Sequence, residues 1–92
     1  QVRFDIAFFG CDGFHTQGPA IRAYPELAVK ECALAQADKR ILLADSSKFG
    51  AEGLYCFATF RDIDLLISER LPDAAEQSRF PPGFTILTPP DA

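Results

Sequence analysis

Near its start the chain reads Phe4-Asp5-Ile6-Ala7-Phe8-Phe9-Gly10-Cys11-Asp12-Gly13, an apolar run that ends in a polar turn. From Ile6 onward the run is apolar on both faces of an extended chain, and Gly10 ends it. Such a run is typical of a parallel strand that is covered on both sides. We therefore predict a central β-strand over residues 4–9, with a turn at its carboxyl end.

The following residues predict a βαβ unit. Residues 10–24 contain three Gly and one Pro and are predicted to form a long loop. Pro25 suits the first turn of a helix, which would end near Asp38. Its predicted apolar stripe is made by Ala28, Cys32 and Ala35, with Leu27 and Leu34 alongside. A second buried strand is expected over residues 40–44. Strand, helix and strand in this order predict parallel strands with a right-handed crossover.

The remaining elements complete an α/β fold. We expect a weaker strand or an extended segment over residues 57–60, strands over 63–67 and 84–88, and a short helix over 72–78. Phe14, Phe49, Phe57 and Phe60 are expected in the core or in a pocket wall. With 92 residues, the chain has room for one modest core. The sequence thus predicts a mostly parallel sheet flanked by helices, as a partial domain.

Composition restricts the function. The formal net charge is −4 and there is no basic run, so direct nucleic-acid binding by this segment is not expected. No apolar stretch is long enough to cross a bilayer. The three Cys are far apart without a CxxC pair, which predicts free thiols, no metal site and no cofactor in a cytoplasmic protein. The sequence contains no Met, and we expect it to be part of a longer protein.

Two polar loops follow the first two predicted strands, Gly10-Cys11-Asp12-Gly13 and Asp45-Ser46-Ser47-Lys48. Ligands of open parallel sheets bind beyond the carboxyl ends of the strands, so both loops are expected at one edge. The predicted roles are close backbone approach at the glycines, hydroxyl binding by Asp12, free hydroxyl and N–H groups at the serines, and a positive charge at Lys48 for phosphate or carboxylate. The predicted ligand-binding residues are Gly10, Cys11, Asp12, Gly13, Asp45, Ser47 and Lys48.

Each loop also has an ordinary structural interpretation. Residues 10–13 could form a simple turn, Asp45 could cap a helix or form an Asx turn, and Lys48 could be a solvated surface lysine. His15 is expected to be exposed, and Cys11 has only His15 as a nearby activating base. No catalytic residue is therefore predicted.

Four segments resemble motifs of the DeoR-type bacterial transcriptional regulators. Residues 5–14 resemble D-x-A-F-I-G-x-x-G-[FI], residues 26–30 resemble E-A-x-V-K, residues 43–50 resemble L-A-D-x-S-K-F-G, and residues 62–68 resemble D-I-D-x-L-I-T-D. Two departures stand out: Gly18-Pro19-Ala20-Ile21 replaces G-[LV]-T-[TS], and Lys30-Glu31 replaces K-R. The missing threonine hydroxyls leave the identity of the ligand open.

The resemblance implies that residues 1–92 are the C-terminal part of an effector-sensing domain. Its fold would be similar to ribose-5-phosphate isomerase, glucosamine-6-phosphate deaminase and coenzyme A transferases. The implied effector is a phosphorylated sugar or related metabolite, and the implied assembly is a homo-oligomer. DNA would be bound only through an upstream winged helix-turn-helix, a domain that this chain lacks.

Two rival interpretations remain open. In a sugar-phosphate isomerase or deaminase, Asp12 could act as a base and Lys48 could stabilise an enolate, but the segment lacks a second acidic residue beside Asp12. The other rival is a purely structural oligomerisation domain. We favour the sensor, which is not an enzyme.

Overall fold

A computed structural model describes residues 2–90. Seven strands and two helices follow one another along this part of the chain. The strands are β1 (Phe4–Phe9), β2 (Gly13–His15), β3 (Gly18–Ile21), β4 (Ala37–Leu43), β5 (Tyr55–Cys56), β6 (Leu65–Ile67) and β7 (Ile86–Leu87). The helices are α1 (Leu27–Ala35) and α2 (Ala74–Gln77), and single 3₁₀ turns cover Tyr24–Glu26, Ser46–Lys48 and Phe60–Asp62.

A four-stranded parallel sheet in the order β1-β4-β6-β7 forms the centre of the fold. Phe9 pairs with Leu42, and Leu42 pairs with Leu66, so three apolar residues stand side by side across the sheet. This arrangement confirms the predicted α/β fold and the parallel β1–α1–β4 unit. It also places the carboxyl ends of β1, β4 and β6 at one edge.

A smaller antiparallel sheet, β2-β3-β5, lies where a long loop was predicted. The prediction that residues 10–24 form one long loop is wrong, because β2 and β3 lie within them. The sequence did not indicate β3 because all four of its residues are buried, so apolar and polar residues do not alternate along it. At residues 57–60 the strand alternative is wrong, although Thr59 is extended. Strand β5 comes two residues earlier, and a 3₁₀ turn begins at Phe60.

Aromatic side chains fill the core between the two sheets. Phe14 contacts the rings of Phe60 and Phe80, and Phe80 also packs against Phe49. The four phenylalanines predicted for the core or a pocket wall are all buried, as expected: Phe14, Phe49, Phe57 and Phe60. The core therefore joins β2, the turn after β4 and the segment after α2.

Helix α1 is shorter than predicted and turns only the two leucines of the predicted stripe toward the core. Leu34 is buried and Leu27 packs against the core, whereas Ala28, Cys32 and Ala35 are exposed. Burying two leucines removes more apolar area from water than burying two alanines and a cysteine, so the helix turns its leucines inward. Helix α2 lies within the predicted range but begins two residues later, at Ala74, with a reciprocal capping box between Asp73 and Glu76.

Strand β1 lies at the edge of the described sheet and not at its centre. Its inner side chain Phe9 is buried, but Ile6 and Phe8 on the opposite face are exposed. The predicted covering of β1 on both sides is therefore wrong within residues 2–90. We call this opposite face the outer sheet face, which consists of Ile6, Phe8, Ile41, Leu43, Leu65, Ile67 and Leu87. Across residues 2–90, no helix has the length and hydropathy to cross a membrane.

Candidate functional site

A cavity of about 360 Å³ opens at the carboxyl end of β1. The turn after β1 forms its floor, the start of α1 forms one wall, and the turn after β4 forms another. Its lining residues are Gly10, Cys11, Asp12, Ile21, Glu26, Lys30 and Lys48. Both polar loops predicted from the sequence therefore contribute to one cavity.

Two lysines line this cavity, and only one of them was predicted. Lys48 belongs to the 3₁₀ turn after β4. Lys30 comes from α1, and its Nζ donates to the carbonyl oxygen of Gly10 at 2.9 Å while lying 5.1 Å from the centre of the Phe57 ring. The carbonyl and the aromatic face both attract a cation, so they hold the Lys30 ammonium group at the mouth of the cavity.

Two carboxylates balance the lysines. Asp12 Oδ2 accepts from the backbone N–H of Arg22 at 2.9 Å, and the Asp12 N–H donates to the carbonyl of Ala20 at 2.9 Å. These bonds fix the Asp12 carboxylate against β3. Glu26 ends the 3₁₀ turn that leads into α1. The cavity thus offers cations for an anionic group and acceptors for hydroxyl groups.

Cys11 lies in this lining as a buried, neutral thiol. Burial raises the pKa of its thiol to about 12, and the hydrogen bond with the Gly13 backbone opposes this only in part. A thiol nucleophile must be deprotonated to react, so Cys11 is suited to forming the wall and unsuited to attack. All three cysteines are free, as the sequence predicted.

The second loop satisfies most of its own polar groups. Asp45 Oδ1 accepts from the Ser47 N–H at 2.9 Å and also from the Ser47 hydroxyl, and these two bonds lower the pKa of the Asp45 carboxyl. Asp45 is the N-cap of the 3₁₀ turn, which agrees with its ordinary structural interpretation. The prediction of free serine N–H and hydroxyl groups is wrong.

Glu69 completes this loop from the end of β6 and was not predicted. Its Oε1 accepts from the Ser46 N–H at 2.7 Å and from the Ser68 hydroxyl at 2.9 Å, and its Oε2 accepts from the Ser46 hydroxyl. The Ser46 hydroxyl bond is the largest cause that lowers the Glu69 pKa to about 2. An ionised Glu69 therefore holds the turn that presents Lys48.

Gly13 belongs to the packing around the site. A Cβ atom on Gly13 would lie 2.5 Å from the Ala51 carbonyl oxygen. The same region is joined by Arg79, whose guanidinium donates to Phe14 O at 2.6 Å and reaches Gly50 O at 3.4 Å. Gly13 and Arg79 therefore hold β2 close to the segment that follows Lys48.

The structure brings four of the seven predicted site residues into the cavity lining, namely Gly10, Cys11, Asp12 and Lys48. Gly13, Asp45 and Ser47 lie in the same loops but contact the protein itself. Lys30 was missed because the predicted site residues all came from the two polar loops, whereas Lys30 lies on α1. The signal that could have found it is its place in the E-A-x-V-K motif. His15 is exposed on β2, away from this lining, and residues 2–90 contain no cluster of metal-ligating side chains.

Residues 1–70 match the family model described as the DeoR C terminal sensor domain. This match covers more than half of the chain. The chain therefore belongs to the DeoR C-terminal sensor domain family, as the four motifs predicted.

Curated relatives are regulators by name. The chain is 39% identical over 71 residues to the HTH-type transcriptional repressor GlcR of Bacillus subtilis, which covers 77% of this chain and 28% of GlcR. It is 33% identical over 70 residues to the deoxyribose operon repressor of Escherichia coli K12, covering 75% of this chain and 28% of that repressor. The chain thus spans under a third of the length of these relatives, and their names do not favour the enzyme interpretation.

Proposed function

We propose that this chain is the effector-binding part of a cytoplasmic DeoR-type transcriptional repressor and that its effector is a phosphorylated sugar. The observation that carries this proposal is the convergence of Lys30, Lys48 and Asp12 on one cavity at the carboxyl end of a parallel sheet. Family membership supports the sensing role, and the names of the relatives support the regulatory one.

The cavity chemistry suits a sugar phosphate. Two ammonium groups provide charge-assisted donors for a phosphate, while the Asp12 carboxylate can accept from sugar hydroxyls. The volume of about 360 Å³ lies in the range of small-molecule pockets. In this proposal the phosphate lies between Lys30 and Lys48, and the sugar lies over the Gly10–Asp12 backbone.

Ile21 is the last residue of the stretch Gly18-Pro19-Ala20-Ile21, which departs from the family motif G-[LV]-T-[TS], and it lies at this cavity. Ile21 is buried and lines it at a position where the family pattern has a small hydroxyl residue. Ala20, at the preceding threonine position, packs against Gly53 instead. We therefore propose that the effector has an apolar or deoxygenated edge at Ile21, because a buried ligand hydroxyl without a partner there would cost affinity.

DNA binding belongs, in this proposal, to a helix-turn-helix domain of the same polypeptide outside these 92 residues. The relatives are named HTH-type regulators, and the net charge of −4 does not favour binding of this part to the phosphates of DNA. The regulator would act as a homo-oligomer. Effector and operator would then change each other's affinity by the same factor.

Thermal unfolding with a panel of sugar phosphates, each paired with its unphosphorylated sugar, tests the site. We expect at least one sugar phosphate to raise Tm while its unphosphorylated partner does not. Lys48→Gln is expected to weaken binding by about tenfold to a hundredfold, because a hydrogen bond to a charged group contributes about 1.5 to 3 kcal/mol. Arg61→Gln, an exposed cation that does not line the cavity, is the control and should bind normally.

Equal binding by wild type and Lys48→Gln would contradict the assignment of the phosphate to this cavity. Turnover of a bound sugar phosphate, followed by NMR of the ligand, would contradict the sensing role and favour an isomerase or deaminase. Binding without turnover is the result expected of a sensor.

A further inference from the structure

Glu26 is a charged residue of the cavity lining that the fold itself does not use. It lies beside Lys30 and Lys48 in that lining, and it is exposed at the end of the 3₁₀ turn that leads into α1. Although Glu26 is the N-cap residue of α1, its side chain caps no backbone N–H. Among residues 2–90, both ion pairs lie elsewhere. The Glu26 carboxylate is therefore available to a molecule in the cavity.

The lysine one helical turn further on does not neutralise Glu26. A glutamate four residues before a lysine is well placed for an ion pair on a helix, and Glu26 and Lys30 have this spacing. The Lys30 ammonium group instead donates to the Gly10 carbonyl at 2.9 Å and lies against the Phe57 ring. In the described part of the chain, Glu26 and Lys30 form no ion pair, so Glu26 keeps an uncompensated negative charge at the cavity.

Such a carboxylate acts in opposite ways on the two parts of a sugar phosphate. It repels the phosphate, because two negative charges at one site raise the free energy of binding. It attracts the sugar, because a carboxylate accepts hydrogen bonds from hydroxyl groups more strongly than a neutral oxygen does. Methyl phosphate carries the same charged group as a sugar phosphate and has no sugar hydroxyl. A carboxylate in this position therefore discriminates against phosphate esters that lack a hydroxyl donor.

We propose that Glu26 is a ligand-binding residue that selects the sugar part of the effector by accepting a hydrogen bond from a sugar hydroxyl. This role depends on the proposed binding of a sugar phosphate between Lys30 and Lys48. Asp12 is less suited to this selection, because its Oδ2 already accepts from the Arg22 N–H. The two lysines thus provide affinity for the phosphate, and Glu26 provides specificity among phosphate esters.

NMR titration of the 92-residue chain with two kinds of ligand tests this role. The probes are methyl phosphate and three sugar phosphates (ribose 5-phosphate, 2-deoxyribose 5-phosphate and glucose 6-phosphate), at about pH 8, where the phosphate is a dianion. We expect at least one sugar phosphate to bind wild type more tightly than methyl phosphate does. Glu26→Gln should weaken that sugar phosphate by about tenfold, because it removes the charge from the acceptor. The same variant should bind methyl phosphate about twofold more tightly or better, because a repelling charge is gone.

Two further variants complete the series. Glu26→Ala removes the acceptor altogether and should weaken the sugar phosphate more than Glu26→Gln does. Glu31→Gln makes the same change of charge at an exposed glutamate on α1 that does not line the cavity, and it should leave both affinities unchanged. Circular dichroism checks that each variant is folded, and if Glu26→Gln fails to fold, Glu26→Ala carries the test.

The opposite direction of the two changes separates recognition of the sugar from a simple effect of charge. A change in the same direction for both ligands in Glu26→Gln, or no change for either, would overturn the proposal. A wild type that prefers none of the three sugar phosphates to methyl phosphate would overturn it as well. Lys48→Gln should weaken both kinds of ligand. If it weakens neither, the proposed phosphate site itself is wrong, which is distinct from a failure of Glu26 alone.

Discussion

The turns that follow β1 and β4 lie at the same edge of the sheet but use their polar groups in different ways. The first turn presents backbone, a thiol and the Asp12 carboxylate to the cavity. The second turn directs the Asp45 carboxylate to Ser47, and Ser46 donates to Glu69. Only the Lys48 side chain of the second turn lines the cavity.

This difference separates residues that contact a ligand from residues that build the loop. A 3₁₀ turn leaves backbone N–H groups without partners, and a nearby carboxylate satisfies them at once. An anion in the cavity would have to displace Asp45 or Glu69 to reach those N–H groups. The lysine ammonium groups need no such displacement, so they are the more effective anion ligands at this edge.

The largest effect is expected from adding a side chain at Gly13, where β2 lies close to the segment that follows the second turn. Gly13→Ala would place a Cβ atom 2.5 Å from Ala51 O, and overpacking against backbone costs about 3 kcal/mol. We expect Tm to fall by at least about 10 °C, measured by circular dichroism. Gly10→Ala, where an added Cβ meets nothing within 4 Å, is the matched control. Equal Tm values for the two variants would show that β2 does not need this close approach.

The next largest effect is expected at Arg79, which links the two turns from outside. Its guanidinium contacts Phe14 O, beyond the first turn, and Gly50 O and Ala51 O, beyond the second. Arg79→Ala should reduce the free energy of unfolding by about 2 kcal/mol, the scale of charge-assisted hydrogen bonds, as measured by urea denaturation. Arg61→Ala is the control and should change it little. A loss no larger in Arg79→Ala than in the control would mean that the aromatic core alone holds the turns together.

The contrast also shows what the sequence could predict about the fold. Strands β1 and β4 were predictable because each contains an uninterrupted apolar run. A short helix over residues 72–78 was predictable, and the structure shows that Asp73 and Glu76 cap α2 within this range. Strands β2, β3 and β5 have two to four residues, too few to show a period. Their pairing depends on small buried residues that a local pattern interprets as a loop.

The part of the site that could be predicted is the part formed by residues that directly follow the strands. The rule for parallel sheets correctly brought Asp12 and Lys48 to one edge. It could not add Lys30, because the approach of α1 to the Gly10 carbonyl is a tertiary contact, and only the place of Lys30 in the E-A-x-V-K motif could have indicated it. Glu69 was missed for the same reason, since it reaches the second turn from the neighbouring strand.

The smallest expected effect is a pH-dependent change in Tm on replacing Glu69, the carboxylate that binds Ser46 in the second turn. Hydrogen bonds from Ser46 and Ser68 lower the Glu69 pKa from 4.5 to about 2 in the folded chain. A carboxyl with a lowered folded pKa stabilises the fold above its unfolded pKa and loses this contribution as the pH falls toward the folded pKa. Wild-type Tm should therefore exceed that of Glu69→Gln at pH 6, and the difference should shrink between pH 4.5 and about 2.

Thermal melts of both proteins across this pH range measure the effect of Glu69 directly. Glu31→Gln, which changes an exposed glutamate on α1, is the control and should follow the wild-type pH profile. Because Glu69 holds Ser46 and not Lys48 itself, we also expect Glu69→Gln to weaken sugar-phosphate binding less than Lys48→Gln does. A Tm difference that stays constant from pH 6 to pH 2 would mean that Glu69 acts on the second turn through its shape and not through its charge.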